Sequence, residues 1–352
     1  MNRSLYESGF FIFTHMRAMH VDTLNTFLIL LSLILAYMLP FELFLLAYAI
    51  LGPLHYLTEI QWIQGKKYFV KSKSWKYLII VFAFTFSIPI VLSLSYFDGI
   101  ENEWFQFLKY DARTYLNGLL FLALVTALSL VVFKKEKVQL IAIAVGIVIA
   151  ILLNQFMEYH VVVGIFLPTI IHVFLFTLLF MLYGNLKTHS KTGYLNVVLM
   201  LLIPFFILNL SLPDAFYEFS NETKEIFTEN SFFVLPTQLS RMLGFSDGSQ
   251  FFFYDQLMIK IQIFVSFAYT YHYLNWFSKT TVIGWHKQLT TKRSLIILAV
   301  WIASMLLYAY DYKLGLALLL FLSVLHVFME FPLNVISIKG IGQFVYSKFR
   351  SG

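Results

Sequence analysis

The chain contains no cysteine. Disulfides, thiolate metal sites and cysteine nucleophiles are therefore excluded together, and any metal ligands must come from His, Asp or Glu. Charge is also scarce: Asp, Glu, Lys and Arg make up 12% of the 352 residues, against roughly a quarter in soluble domains. Proline is limited to eight residues, and few apolar segments are interrupted, Pro168 being the main exception. No polar linker separates two halves, so one membrane domain spanning 24–352 is expected. The first 23 residues lack a basic stretch leading to an apolar run and a small-residue cleavage site, which argues against a removable signal peptide. The net charge of +6 does not indicate nucleic acid, because Lys and Arg fall between apolar runs, where membrane topology accounts for them.

What is present is apolar: 59% of residues are hydrophobic and the mean hydropathy is +0.76. A hydrocarbon core of roughly 30 Å is crossed by about 20 apolar residues in a helix. Ten such runs occur, near 24–39, 41–63, 77–96, 114–133, 138–156, 158–183, 194–211, 256–277, 294–310 and 313–333. The expected fold is an all-α polytopic bundle of ten transmembrane helices. With both termini inside, 19 Lys and Arg fall in inner segments and 5 in outer ones, with Lys260 just within a span; that asymmetry predicts N-in/C-in topology in the inner (cytoplasmic) membrane. Residues 1–23, with FFIF before His15, Arg17 and His20, read as an amphipathic interfacial segment. The longest connection, 212–255, falls outside; its SFFVLP and QFFFYD stretches predict a loop lying on the membrane surface.

Ionisable residues inside spans are costly and point to function. Four histidines are intramembrane: His55, His172, His272 and His326, on the second, sixth, eighth and tenth runs. They follow the outer span ends by 14, 14, 16 and 13 residues, which places each about 20–24 Å along its helix. All four spans run in the same direction, so the imidazoles share one level, where a bundle can converge them on a metal ion. The plainer alternative is that each His hydrogen-bonds a neighbouring helix.

Two segments, LHYLTE at 54–59 and LHVFME at 325–330, place Glu59 and Glu330 four residues after a histidine. One helical turn sets each carboxylate on the face of its imidazole, as a ligand, as an acceptor that fixes the tautomer of a ligand on another helix, or as a group snorkelling to the inner surface. Asn275, one turn after His272, can orient a ligand, while Tyr271, Tyr273 and Trp276 suit an interfacial aromatic belt. Four imidazoles without thiolate suit Fe(II), and Zn(II) or Cu(II) satisfy the same donors. Stacked haems would need His pairs at two depths, and no closely spaced His box of the membrane desaturases occurs.

The segment GPLHYLTE, with Gly52, His55 and Glu59, resembles the first His-bearing helix of the Brp/Blh type of integral membrane beta-carotene 15,15'-dioxygenase. In that family Pro directly precedes the His and Asp stands in place of Glu; here Leu54 and Tyr56 flank His55. The family's two late histidines one turn apart are also replaced by His272 and His326 on separate helices. The resemblance implies Fe(II) at His55, O2 as co-substrate, and oxidation or cleavage of a lipophilic polyene or isoprenoid such as a carotenoid in a membrane-lipid setting. The other readings are a proton- or metal-coupled transporter using the same His and Glu, and a membrane acyl- or glycosyltransferase, which would need only one deep His.

Overall fold

The computed structural model describes residues 3–213 and 216–351; the side chains of 1–19, 281 and 351 lie outside the described set, and with them most of the amphipathic segment 1–23. Among the described residues there is no strand. Twelve helices organise these residues: α1 (Arg3–Met38), α2 (Glu42–Gly65), α3 (Trp75–Val91), α4 (Glu103–Val132), α5 (Glu136–Leu153), α6 (Met157–Thr188), α7 (Lys191–Leu208), α8 (Asn221–Glu229), α9 (Val234–Met242), α10 (Gln256–Ser278), α11 (Thr291–Tyr310) and α12 (Tyr312–Ser351).

Each of the ten expected spans coincides with a helix. Eight are long and apolar enough to cross a membrane, so the chain is a multi-pass membrane protein. The other two differ for separate reasons. Helix α3 has 17 residues, and α10, with 23, carries Lys260, Gln262 and several tyrosines. Helix α10 is buried along nearly its whole length, so protein rather than lipid surrounds its polar groups, and the apolarity demanded of a lipid-facing span is relaxed. Side-chain caps start several helices: Ser190 accepts from the Gly193 N–H on α7, and Asp255 from the Met258 N–H on α10, each satisfying a first-turn donor.

The helices form two compact units. The first comprises Met1–Tyr48, Val173–Leu289 and Ser337–Gly352; the second comprises Ala49–His172 and Thr290–Ile336. Three of the four boundaries fall inside α2, α6 and α12 and the fourth lies just before α11, so no long linker is visible in the sequence.

In the first unit, α1, α7 and α10 are joined by a polar seam. Asn25 donates to the Val21 carbonyl at 2.8 Å and to Ser278 Oγ at 3.0 Å, and its Oδ1 accepts from the Tyr271 hydroxyl at 3.2 Å. Thr26 donates to Asn196 Oδ1 at 2.6 Å, while Asn196 Nδ2 donates to the Asp22 carbonyl at 2.8 Å. Such pairing is what permits amides inside a membrane bundle. The 212–255 connection contains α8 and α9 and is tied to this unit by aromatic packing. Phe41, fully buried, meets Phe219, Phe227 and Phe253 at centroid distances of 4.7, 4.9 and 5.1 Å.

In the second unit, α4 and α5 form a tight hairpin in which a Cβ on Gly146 would come within 2.7 Å of Val125 Cγ1. The turn is closed by Gln139, whose Nε2 donates to the Phe133 carbonyl at 2.7 Å. Trp301 Nε1 donates to the Ile50 carbonyl at 2.8 Å, linking α11 to α2. That carbonyl lies in a π-helical turn, Ala47–Leu51, just before Pro53, which has no N–H to continue the α ladder. Helix α6 is π-helical from His160 to Phe176 around Pro168; the Thr169 hydroxyl donates back to the Ile165 carbonyl. Widened turns of this kind are uncommon and concentrate at functional sites.

Candidate metal centre

Three of the four intramembrane histidines meet. His55, His172 and His326 each offer a ligand atom, and these atoms all lie within 4.8 Å of one another. They sit on α2, α6 and α12 within the second unit. The three are 1%, 2% and 5% exposed, so water does not solvate them. His326 is central: its ring is 5.3 Å from that of His55 and 5.1 Å from that of His172, both steeply inclined at 86° and 74°.

His172 Nε2 and His326 Nε2 are 3.2 Å apart. Two nitrogens on one ion at about 2.0–2.1 Å, with tetrahedral or octahedral angles between them, would stand roughly 2.8–3.4 Å apart. The observed separation falls in that interval. Imidazole nitrogens this close must share either a proton or a cation.

Both carboxylates are part of the surroundings. Glu59 Oε2 is 3.1 Å from His55 Nε2, one turn back on α2. Glu330 follows His326 by one turn on α12 yet contacts His172 on α6, with Oε2 3.3 Å from Nδ1. A carboxylate on the far nitrogen of an imidazole fixes the tautomer and raises the basicity of the nitrogen facing an ion. Glu59 and Glu330 are 3% and 1% exposed, and neither Oε2 has an aligned hydrogen-bond donor. Held as carboxylates, groups buried this way would need compensating positive charge. The three imidazoles, backed by the two carboxylates, could hold a metal ion, and the absence of thiolate suits metals that accept nitrogen and oxygen donors.

His272 lies in the first unit and is not a member of the three-histidine group; its Nδ1 is 2.7 Å from the Thr177 hydroxyl. Asn275 is buried on the same helix, where its carbonyl accepts from Ser278 Oγ at 2.8 Å. The shared depth of four histidines thus did not translate into one cluster, because depth says nothing about helix rotation. Tyr56, which the sequence marked only as a neighbour of His55, is a further component: its ring lies 5.8 Å from that of His326 at an inclination of 31°. No periodicity singled it out. His160, at the start of the π-helical stretch, is separately engaged, with Nε2 2.7 Å from the Asn154 carbonyl and Nδ1 2.7 Å from Asn117 Nδ2.

No protein-family model matches the chain, and no curated protein or solved structure is a match to it.

Proposed function

We propose that the chain is a non-haem iron membrane oxygenase that binds Fe(II) through His55, His172 and His326 and acts with O2 on a lipophilic polyene or isoprenoid, a carotenoid being the model substrate. The observation that carries this reading is the buried triad of convergent imidazoles backed by Glu330 and Glu59. Three nitrogen ligands on rigid membrane helices leave coordination positions for reactants, unlike a saturated structural site. The resemblance of GPLHYLTE to the Brp/Blh dioxygenases supports the same assignment at His55. The 19-to-5 distribution of Lys and Arg supports placement in the inner membrane with both termini cytoplasmic.

The residues have separate tasks in this proposal. The three imidazoles hold the ion; Glu330 orients His172, and Glu59 orients His55. When bound, the iron supplies the redox chemistry by which O2 adds across a carbon–carbon double bond, one alkene and one O2 giving two carbonyl products with no external reductant. Burial of the triad keeps water from the reacting carbon atoms. No side chain is required as a nucleophile.

A second reading has one specific observation in its favour. The π-helical, proline-containing stretch of α6 around His172 is an interrupted helix at an ionisable residue, as in transporters whose sites use broken helices. Metal analysis separates the two. Detergent-purified protein, reconstituted anaerobically with Fe(II), is expected to hold stoichiometric iron and to consume O2 in the presence of a polyene. Metal that binds only in passage, with uptake into proteoliposomes and no O2 consumption, would replace the oxygenase by the transporter.

A further inference from the structure

Among the described residues, five asparagines are buried: Asn25, Asn185, Asn196, Asn275 and Asn334. Asn25 and Asn196 are bonded through both ends of the carboxamide. Asn185 Oδ1 accepts from Thr188. Of the five, Asn334 is the one for which neither Nδ2 nor Oδ1 has a hydrogen-bond partner, although it is only 2% exposed. A dry carboxamide with both ends unbonded is strongly disfavoured, so the site is matched to a polar group that the protein itself does not provide.

Its position relative to the triad narrows the choice. His326, Glu330 and Asn334 follow one another at intervals of four on α12, so they run along one side of the helix, and Asn334 lies about 12 Å along the axis from His326. Beside it on the helix Phe331 and Val335 are buried and apolar, while the buried Glu330 and Ser337 lie about one turn to either side. The lipophilic substrate of the oxygenase reading, reaching from the triad to Asn334, would be apolar for most of its length. At Asn334 it meets one donor and one acceptor, which a hydroxyl satisfies together: its O–H donates to Oδ1 while its oxygen accepts from Nδ2. A ketone satisfies only the donor, and a hydrocarbon neither.

We propose that Asn334 anchors the hydroxyl of an elongated apolar substrate whose reacting double bond lies at the histidine centre, making Asn334 a specificity-determining residue. The proposal takes the position of the reacting end from the oxygenase reading. It is tested with beta-carotene and beta-cryptoxanthin, which differ by one ring hydroxyl, added to the full chain in nanodiscs, with binding read by quenching of tryptophan fluorescence and iron content measured on the same samples. The unaltered protein is expected to bind the hydroxylated polyene about tenfold more tightly, Asn334→Leu to lose that preference while keeping its iron, and Asn334→Ser, which retains a hydroxyl, to keep part of it. Equal binding of the two polyenes by the unaltered protein, or an undiminished preference in Asn334→Leu, would overturn the anchor and leave water as the occupant. A preference that depends on Asn334 in protein that holds no iron would support the anchor while removing the oxygenase reading.

Discussion

Two buried polar regions of the same membrane protein are built on opposite terms. Around Asn25 in the first unit, amide, hydroxyl and carbonyl groups from α1 and α10 complete one another: Asn25 both donates and accepts, and Tyr271 and Ser278 are bonded to it. Around His326 in the second unit, three imidazoles and two carboxylates converge, with the Nε2 atoms of His172 and His326 facing each other at 3.2 Å and carboxylate oxygens without aligned donors. The first region is finished by the protein alone and acts as a clasp between helices. The second is a group that could hold a metal ion. A satisfied network gains about 1 kcal/mol per bond, whereas uncompensated charges in low dielectric are kept where a ligand or ion completes them.

The largest expected effect that would break this contrast lies in the triad. Alanine at His55, His172 or His326 is expected to abolish iron retention, a loss beyond the roughly 10- to 100-fold that residues orienting a ligand command, as measured by inductively coupled plasma mass spectrometry. Retention of stoichiometric iron in any of the three variants would mean that the ion sits elsewhere. Metal removal should also be visible in stability. Free Fe(II) at 100 times its dissociation constant is expected to stabilise the native state by about 2.7 kcal/mol, raising the unfolding temperature of the unaltered protein and of an Asn25→Ala variant, but not that of His326→Ala. A shift in all three would mark nonspecific binding.

Next in size are the carboxylates. Glu330→Gln is expected to weaken metal binding about 10- to 100-fold by releasing His172, and Glu59→Gln to act likewise through His55, both followed by competition with a chromophoric chelator. Unchanged affinity would reduce the two acids to packing. Smallest is the clasp itself: Tyr271→Phe deletes one donor to Asn25 and is expected to cost about 1 kcal/mol of stability with iron content intact. Loss of iron in that variant would show that the two regions are not independent, which would sharpen the comparison in the other direction.

Much of this architecture is legible in the amino-acid sequence. Apolar runs of helical length mark every span because a lipid-crossing backbone must satisfy its own hydrogen bonds, and a helix is the simplest way to do so. His55, His172 and His326 stand out because ionisable groups are expensive at that depth. Glu59 meets His55 by helical periodicity alone, since both lie on α2 one turn apart. Glu330 has the same spacing from His326, yet reaches across to His172; two matching hexapeptides therefore make different contacts. The low hydropathy of α10 becomes intelligible only through its burial.

By itself, then, the sequence determined the helical membrane fold, the approximate ends of the helices and which histidines lie deep, because these follow from local apolarity and a constant rise per residue. Tertiary structure decided which imidazoles face one another. It set His272 Nδ1 against the Thr177 hydroxyl and left Asn334 without a partner. Those outcomes depend on helix rotation, which the π-helical turns near Pro53 and Pro168 alter, and on packing between residues more than a hundred positions apart, such as His172 and His326.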